Sequence, residues 1–538
     1  MAFENWTFEE WNTILVEKYQ NLNRLVNELI PELWMPLEFG LSINKILNIK
    51  DCTLPFAGIL LGPPSSLKTV GIELFRKVKN TFYTDNFSAR AFVSHSTTVQ
   101  KKDLDKIDML PRMKNKFFLT PELSPIFGKK DEDLMETLSI ITRVLDGHGF
   151  ESDTGAHGHR GYPEDIMFTW VGAAVDIPYK VHKYLGTRGA KLYFFRLPLI
   201  EKSDDEYMAQ MSKDHFIPKV KEIRRSLMEY LEWFDRCPIS ETDDKVIREN
   251  DLTKIQWNNE KDDNQSLMII LKLAKLLAHL RAVVSTWGKS NTDTQGFDYV
   301  HAFATIEDPS RAMTQLRNLA RGHALIQGRN YITMEDIPIV IKTVFSTASL
   351  ERVRIFELLL EFNGILTTSE IVESLNISDD TAKRTMTELQ AIGLVNIQSI
   401  QGSHGGEPQK LIKLKDKFGW FLDKEFIILS SHYAEKLPCV LINKNYDYER
   451  LVLLNSILPR TDTHTTIFVS SGKVVKYDYN CYECEKVNHG TAVYQTNSLS
   501  DYKRHWITSR HKGPCQPSLV DIEHHGWTAQ GKPWESSD

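Results

Sequence analysis

Three features are scarce in this chain of 538 residues: cysteine, long uninterrupted apolar runs and an excess of positive charge. Six cysteines are too few for a disulfide scaffold of this length, and four of them lie within the last hundred residues. That clustering favours a metal site over crosslinks. The most apolar stretch, 266–287, is interrupted by Lys272 and Arg281, which favours a buried helix over a membrane span.

The formal net charge of −6 gives the chain no overall basic surface for nucleic acid, so any such contact has to come from a local patch. The first residues are acidic and lack the basic start and apolar run of a secretory signal. We therefore expect a cytoplasmic protein without a membrane partner. With 41% hydrophobic and 25% charged residues, the composition is typical of a globular protein with several domains.

Hydrophobic periodicity and Pro/Gly boundaries divide the chain into five segments. Between 51 and 200, short apolar runs such as FAGILLG and IMFTWVGAA predict the buried strands of a parallel α/β sheet. The predicted order is a helical N-terminal segment (1–50), an α/β core (51–200), a helical region (201–345), a winged helix-turn-helix (350–420) and a C-terminal region (425–538) with a zinc-binding module at about 471–515.

The clearest chemical signal is the segment GPPSSLKT, which follows an apolar run and precedes a helical pattern. In a phosphate loop of this kind, backbone N–H groups surround the phosphates, the lysine reaches the β and γ oxygens, and the next hydroxyl ligates Mg²⁺. Leu67 stands where the usual pattern has its second glycine. The alternative is a Pro/Ser turn with a surface lysine. The predicted nucleotide-binding residues are Gly62, Pro63, Pro64, Ser65, Ser66, Leu67, Lys68 and Thr69, with Thr69 as the Mg²⁺ ligand.

A second segment, KFFLTPEL at 116–123, has the apolar strand and terminal Glu122 of a Walker B motif. A glutamate there orients and activates the attacking water. The usual aspartate position is occupied by Pro121, which removes the outer carboxylate support of Mg²⁺ and predicts slow hydrolysis. The alternative is a solvated glutamate at the end of a strand.

Taken in order, these segments resemble the AAA+ ATPases, particularly the clade of minichromosome-maintenance helicases and magnesium-chelatase-like proteins, over residues 50 to 345. Residues 131–174 are similar to that clade's helix with a β-hairpin insert, followed by the sensor 1 strand. The usual sensor asparagine is not obvious, and Val175 and Asp176 lie nearest its place. The resemblance implies an α/β P-loop NTPase core with a helical lid over 201–345, and ATP and Mg²⁺ as cofactors.

Two arginines extend the resemblance. The segment LGTR, ending in Arg188, resembles the segment that carries the arginine finger, which neutralises charge on the γ-phosphate bound by a neighbouring subunit. The resemblance therefore implies self-association into a ring or partial ring. Ser310-Arg311 and the apolar positions after it are similar to the helicase lid, which implies that Arg311 is the sensor 2 arginine that contacts a nucleotide phosphate. The alternative for Arg188 is a local salt bridge.

Residues 351–418 predict a winged helix: two capped helices, followed by two strands that flank a Gly-rich turn. In the functional interpretation, Lys383, Arg384 and Thr385 face a DNA groove, with His404 and Lys410 near phosphates. The segment has ten acidic residues against eight Lys/Arg, so a winged helix that binds protein is the open alternative.

The C-terminal tail contains a C-x2-C pair and an H-x5-H pair, a spacing that can close a tetrahedral Zn²⁺ site of C2H2 type in a ββα-like module. His489 and Cys515 are possible substitute ligands. Residues 471–515 hold seven Lys/Arg against four Asp/Glu, the best basic patch of the chain. The predicted zinc ligands are Cys481, Cys484, His505 and His511, and the predicted nucleic-acid contacts of this module are Lys503, Arg504 and Arg510.

Three functional hypotheses follow. The first is an AAA+ ATPase that couples ATP turnover to work on DNA or on a DNA-bound complex, with Glu122, Arg188 and Arg311 as its catalytic residues. The second is a regulator that binds ATP, barely hydrolyses it and finds DNA through its small modules, as Leu67 and Pro121 favour. The third is a protein-remodelling ATPase that does not bind DNA.

Overall fold

A computed structural model describes residues 6–434 and three strands beyond them. Within that range the described chain omits 97, 156–157, 190, 199–202, 213–215, 240–244, 250, 291–296 and 401–408. The chain forms two compact units, which are described separately. The first comprises Met1–Ser285 and Ala302–Val353, and the second comprises Thr286–His301 and Arg354–Asp538.

The first unit is built on a parallel sheet. Its strands in chain order are β1 (Phe56–Leu61), β2 (Thr81–Tyr83), β3 (Phe117–Thr120), β4 (Phe150–Thr154), β5 (Gly158–Tyr162), β6 (Thr169–Ala174), β7 (Leu192–Arg196), β8 (Val246–Glu249) and β9 (Leu252–Ile255). Five of them form the sheet in the order β2–β3–β6–β1–β7, and every pairing is parallel. Strands β1 and β6 are buried along their whole length, as expected for a sheet covered on both faces. The predicted parallel α/β core is confirmed.

The helices of the first unit are α1 (Phe8–Leu29), α2 (Trp34–Ile46), α3 (Lys68–Leu74), α4 (Leu104–Ile107), α5 (Met109–Met113), α6 (Ser124–Phe127), α7 (Asp131–Val144), α8 (Tyr179–Gly186), α9 (Asp204–Ser212), α10 (Phe216–Phe234), α11 (Asn264–Arg281), α12 (Ser310–Ile326) and α13 (Ile337–Thr347). Thr7 caps α1 in a capping box with Glu10, which satisfies exposed N–H groups of its first turn. The apolar positions of α1 that share one helical face are buried. None of the described helices is long and apolar enough to cross a membrane.

Region 201–345 contains two hairpins among its helices. Strands β8 and β9 pair as an antiparallel hairpin within the acidic, polar stretch 241–265, and a second hairpin, β10 (Thr286–Ser290) with β11 (Phe297–His301), follows α11, where the sequence pattern predicts helix. The sequence signal is weak because each strand of the first hairpin has four residues. Asp251, at the turn, has a φ of 65°, a left-handed conformation that aspartate tolerates better than most residues.

Helix α13 closes one edge of the sheet. The N–H of Phe194 donates to the Thr347 hydroxyl and the N–H of Arg196 donates to the Ser346 hydroxyl, both at 2.9 Å. Both donors belong to β7, the last strand of the sheet. Side-chain oxygens thus satisfy N–H groups that a further strand would otherwise pair, which protects the edge from association with another chain.

The second unit contains the hairpin β10–β11 and the elements α14 (Leu350–Glu361), β12 (Ile365–Thr367), α15 (Thr368–Leu375), α16 (Asp379–Ala391), β13 (Val395–Ile400), β14 (Gln409–Leu414) and α17 (Lys424–Ala434). The boundary between the units falls within α14. Strands β12, β14 and β13 form an antiparallel sheet in that order, and α16 packs against β10–β11. Further along, β15 (Thr465–Ser470), β16 (Lys473–Asn480) and β17 (Gln495–Thr496) form another antiparallel sheet.

A buried ionic cluster joins α12 to α2 and to the turn before α13. His323 lies 2.7 Å from Asp336 and 3.6 Å from Glu38, and Arg329 also pairs with Asp336 at 2.8 Å. Burial by itself would lower the pKa of His323, but the two carboxylates raise it to about 9. The imidazolium is therefore the stable form of this side chain in the folded protein at neutral pH.

This cluster predicts a pH-dependent stability. Because the folded pKa of His323 lies above its unfolded value of about 6.5, its contribution is complete below pH 6.5 and is lost as the pH rises to 9. We expect wild type to lose about 3 kcal/mol more unfolding free energy over that interval than His323→Gln. Urea unfolding of both proteins at pH 6.5 and 9 measures the difference. Parallel pH profiles would show that His323 is neutral when folded.

Candidate nucleotide-binding site

The segment 62–69 connects the carboxyl end of β1 to the first turn of α3. The first hydrogen bond of α3 runs from the Gly71 N–H to the Leu67 carbonyl. The N–H groups of Lys68, Thr69 and Val70 therefore have no acceptor within the helix. They lie at the edge of the sheet where all five parallel strands end, which is where α/β folds usually bind ligands.

Leu67 adopts the backbone conformation that a glycine would supply. Its φ is 62° and its ψ is 8°, and Ser65 also has a positive φ of 66°. A left-handed conformation costs a non-glycine residue roughly 1–2 kcal/mol, so the loop keeps this shape against a local preference. The leucine at the second glycine position therefore does not prevent the turn, and strain of this kind is often found at functional sites.

This conformation gives a stability prediction for Leu67. Leu67→Gly should keep the free energy of unfolding within about 1 kcal/mol of the wild-type value, because relief of backbone strain is offset by a more flexible unfolded chain. Leu67→Val should lower it by about 1–2 kcal/mol, because a β-branched side chain fits the left-handed region worst. Denaturant unfolding of both variants measures this. Equal stability of the two variants would show that the loop relaxes to another conformation.

Lys68 is folded back over the loop. Its Nζ donates to the Pro63 carbonyl at 2.9 Å and the residue is 6% exposed. Burial lowers its pKa, and the nearby Glu122 carboxylate partly opposes this shift. The hydrogen bond of this ammonium group to a neutral carbonyl is weaker than one to a charged phosphate oxygen, so replacing the carbonyl by a phosphate is favourable.

Two further features of the loop fit a bound phosphate group. The Ser66 hydroxyl is buried without a hydrogen-bond partner among the described residues, so it can donate to a ligand oxygen. A Cβ at Gly62 would lie 2.6 Å from that hydroxyl, so a side chain there would displace it. Thr69 is exposed, with its hydroxyl available to a hydrated cation. The loop residues therefore suit a nucleotide with Mg²⁺.

Glu122 lies at the same edge, beyond the end of β3. Its carboxylate accepts the Ser124 N–H at 2.8 Å and is exposed to solvent. Strand β6 separates β3 from β1, so Glu122 and the loop flank the end of β6. Pro121, where the usual pattern has aspartate, is buried and offers no carboxylate to a metal ion.

The positions after β6 differ from the expected sensor 1. Val175 is 41% exposed and apolar. Asp176 carries a charge, and its carboxylate pairs with Arg196 at 3.0 Å. Neither side chain is a neutral hydrogen-bond donor, so neither Val175 nor Asp176 can replace the asparagine that is usual at the sensor 1 position.

Arg188 and Arg311 both lie at the opposite edge of the sheet, where each is bound to residues within or just after α7. Arg188 precedes β7 and donates to the Ser139 hydroxyl at 3.0 Å. Arg311 donates to Asp146 and to the Leu145 carbonyl, each at 2.8 Å. The next turn of α12 contacts the same edge of the sheet, because the Gln315 amide donates to the carbonyl of Pro55, the residue directly before β1. Strand β1 is six residues long, so this edge is roughly 17 Å from the segment 62–69.

Two basic residues and one acidic residue that the sequence patterns did not single out complete this cluster. Lys191 lies 2.8 Å and Arg143 3.6 Å from Asp146. Burial alone would raise the pKa of Asp146, but the surrounding cations lower it. Together with Arg188 they line an open cleft of about 440 Å³. Arg143 is the basic residue in the last turn of α7, and that position is the one feature of the sequence from which it could have been found. The cleft has the charge and size to receive a phosphate group.

The hairpin β4–β5 lies between α7 and β6 along the chain. Arg160 donates to Asp105 and Asp108, each at 2.9 Å, and His95 contacts Ser152 at 2.8 Å. Asp108 is fully buried. The hairpin is thereby fixed against the segment that precedes β3.

The predicted nucleic-acid contacts divide into two groups. On α16, Lys383 pairs with Asp379 at 2.6 Å, Arg384 is half-buried, and Thr385 is fully buried with its hydroxyl bonded to the Thr381 carbonyl. The prediction that Thr385 faces a DNA groove is therefore wrong, because this side of α16 packs inward. The remaining predicted contacts, His404, Lys503, Arg504 and Arg510, lie outside the described residues.

The predicted zinc ligands Cys481, Cys484, His505 and His511, and their possible substitutes His489 and Cys515, also lie outside the described residues. Among the residues that the structure describes, no group of three or more His, Cys, Asp or Glu could hold a metal ion. The two described cysteines, Cys52 and Cys237, are buried free thiols.

Comparison with known proteins adds little to this geometry. No family model matches the chain, and no curated protein matches it significantly. Among solved structures, the chain is similar to a protein from Cytophaga hutchinsonii described as a candidate ATPase, with 14% identity over 61% of this chain and 88% of that chain and a TM-score of 0.31. A likeness at this level carries no functional argument, so the assignment rests on the residues themselves.

Proposed function

We propose that this protein is a P-loop ATPase of the AAA+ kind. The observation that carries the proposal is the loop itself. Leu67 holds a left-handed turn, Lys68 points back across the loop to Pro63, and the orphaned Ser66 hydroxyl is buried within it. Glu122 stands at the same edge across β6. These are the parts that phosphate binding and water activation need, in one place.

Each residue has a defined task in this proposal. The ammonium of Lys68 binds the β and γ oxygens, and the free N–H groups of the loop bind the remaining phosphate oxygens. The hydroxyl of Thr69 ligates Mg²⁺, which when bound neutralises charge on the phosphates. Glu122 holds the attacking water and accepts its proton. Because Pro121 gives the metal no carboxylate, we expect slow turnover.

The two arginines support self-association. At roughly 17 Å from the loop of their own chain, Arg188 and Arg311 reach a nucleotide only if a second copy presents its loop to the basic cleft. Such a head-to-tail contact generates a ring or a partial ring. The cations of the cleft then act on the partner's γ-phosphate, as arginine fingers do. Arg311 would thus contact nucleotide across the interface.

A nucleotide-gated regulator without hydrolysis is the second candidate. The buried Pro121 and the absence of a like-for-like sensor at Val175 and Asp176 favour it. Both candidates share nucleotide binding, and they differ in whether Glu122 supports turnover.

The target of the protein is a further proposal. The order of α14, β12, α15, α16, β13 and β14 supports a winged helix. The ion pair of Lys383 and the burial of Thr385 favour a protein partner over DNA for α16. DNA contact through the C-terminal module, and its Zn²⁺, remain predictions that the basic residues of 471–515 motivate.

The experiment that tests the proposal is ATP binding and steady-state hydrolysis by the purified full-length chain, with and without single- and double-stranded DNA at low salt. Turnover raised by DNA supports a DNA-coupled motor, and turnover unaffected by DNA supports a protein-remodelling ATPase. Binding without turnover supports the regulator. A chain that binds no ATP contradicts the proposed function.

A further inference from the structure

An ion pair crosses the strand that leads into the phosphate loop. Leu61, the last residue of β1, is paired with Ala174 of β6 on one side and with Arg196 of β7 on the other. Asp176 follows β6 by two residues, and its carboxylate lies 3.0 Å from the Arg196 guanidinium. Since β1 runs between the two strands, the ion pair closes across the point where the chain turns into Gly62.

The fold does not need this ion pair. The side chains of Arg196 and Asp176 are 28% and 64% exposed, and exposed pairs contribute about 0–1 kcal/mol to stability. The edge of β7 is instead completed by the Arg196 main chain, whose N–H donates to the Ser346 hydroxyl. Removing the guanidinium therefore leaves the sheet and its edge intact.

Charge and position suit this pair to a phosphate. Val175 can donate no side-chain hydrogen bond, and the Asp176 carboxylate repels a phosphate group. Across β1, Arg196 supplies a planar guanidinium with several donors, the group that best matches phosphate oxygens. In the structure the charge of Arg196 is neutralised by Asp176. The ion pair is therefore the state without nucleotide, and a phosphate group is the alternative partner of the arginine.

We propose that Arg196 is the residue that senses the terminal phosphate of the bound nucleotide, and that Asp176 holds it in place until a triphosphate occupies the loop. This inference rests on the proposed nucleotide site. Arg196 leaves Asp176 and binds the γ-phosphate of a triphosphate, whereas a diphosphate leaves the ion pair closed. The chain thereby distinguishes ATP from ADP with a residue from β7 instead of one from β6.

The test is equilibrium binding to the full-length protein, with Mg²⁺, of a non-hydrolysable ATP analogue and of ADP. Arg196→Ala should weaken binding of the analogue roughly tenfold, the range of one charge-assisted hydrogen bond less the ion pair it replaces, and leave ADP binding unchanged. Arg196→Lys should restore part of the loss. Asp176→Asn should tighten binding of the analogue a few-fold, because the arginine is released without cost.

Arg24→Ala is the matched control, because Arg24 forms an exposed ion pair with Glu28 at 2.9 Å on α1; it should change neither affinity. Thermal unfolding without nucleotide should be the same for all four variants. Equal loss of analogue and ADP binding in Arg196→Ala, no loss at all, or weaker analogue binding in Asp176→Asn would each overturn the inference while leaving the ATPase proposal standing. Failure of wild type to bind either nucleotide would overturn both.

Discussion

Lys68→Ala should abolish measurable nucleotide binding and, with it, any ATP hydrolysis. The residue Lys68 is 6% exposed, and its ammonium donates to the Pro63 carbonyl. Burial lowers the pKa of Lys68, so the ammonium is partly desolvated and gains a closer ionic partner when a phosphate binds. Charge-assisted hydrogen bonds contribute about 1.5–3 kcal/mol each, so the loss of two predicts an affinity lower by at least roughly a hundredfold. Direct titration with ATP and ADP measures it.

Two variants make this result specific. Lys77→Ala removes an exposed lysine shortly after α3 and should leave the affinity for ATP unchanged. Glu122→Gln should retain nucleotide binding and lose turnover, because the amide cannot accept the proton of the attacking water. If Lys68→Ala binds ATP as wild type does, the segment 62–69 is a Pro/Ser turn and not a phosphate loop.

Two inactive variants should restore activity to each other when they share one assembly. Arg188→Ala should bind ATP normally but lose turnover about a thousandfold, because an arginine finger acts on the transition state. Lys68→Ala should be inactive for the reason given above. In mixed assemblies, a loop from an Arg188→Ala copy can meet the intact basic cleft of a Lys68→Ala copy. At equal amounts, random neighbours should recover about a quarter of wild-type turnover.

The control for this experiment is a mixture of Lys68→Ala with Glu122→Gln. Lys68 and Glu122 lie at the same edge of one chain, so every site in that mixture keeps one defect and no activity should return. Co-expression ensures that mixed assemblies form, and steady-state ATPase rates provide the readout. Recovery in both mixtures, or in neither, would contradict action of Arg188 across an interface.

Local sequence predicted the parts of the site that depend on neighbouring residues. The apolar run before Gly62 is buried on both faces as β1, and the loop, Lys68 and the start of α3 follow directly. The sequence pattern predicts no strand over 81–83, because three residues between polar segments give too short a pattern. They form β2, the edge of the sheet next to β3.

The sequence could not show which charges meet. Asp146 forms ion pairs with Lys191 and Arg311, which are distant from it in sequence. Helix α16 packs against the hairpin β10–β11 from an earlier part of the chain. Such contacts depend on the order of strands and the packing of helices, which the local pattern does not encode.

The sequence by itself therefore determined the α/β core, the turn 62–69 between a buried strand and a helix, and the carboxylate that follows β3, because periodicity and motif spacing act over a few residues. Only the tertiary structure decided that Leu67 takes a left-handed turn, that Arg188 and Arg311 lie at the far edge of the sheet, and that Asp176 meets Arg196 across β1. The physical reason is that strand order β6–β1–β7 is set by burial of the whole sheet, a property of distant residues packed together and not of any one segment.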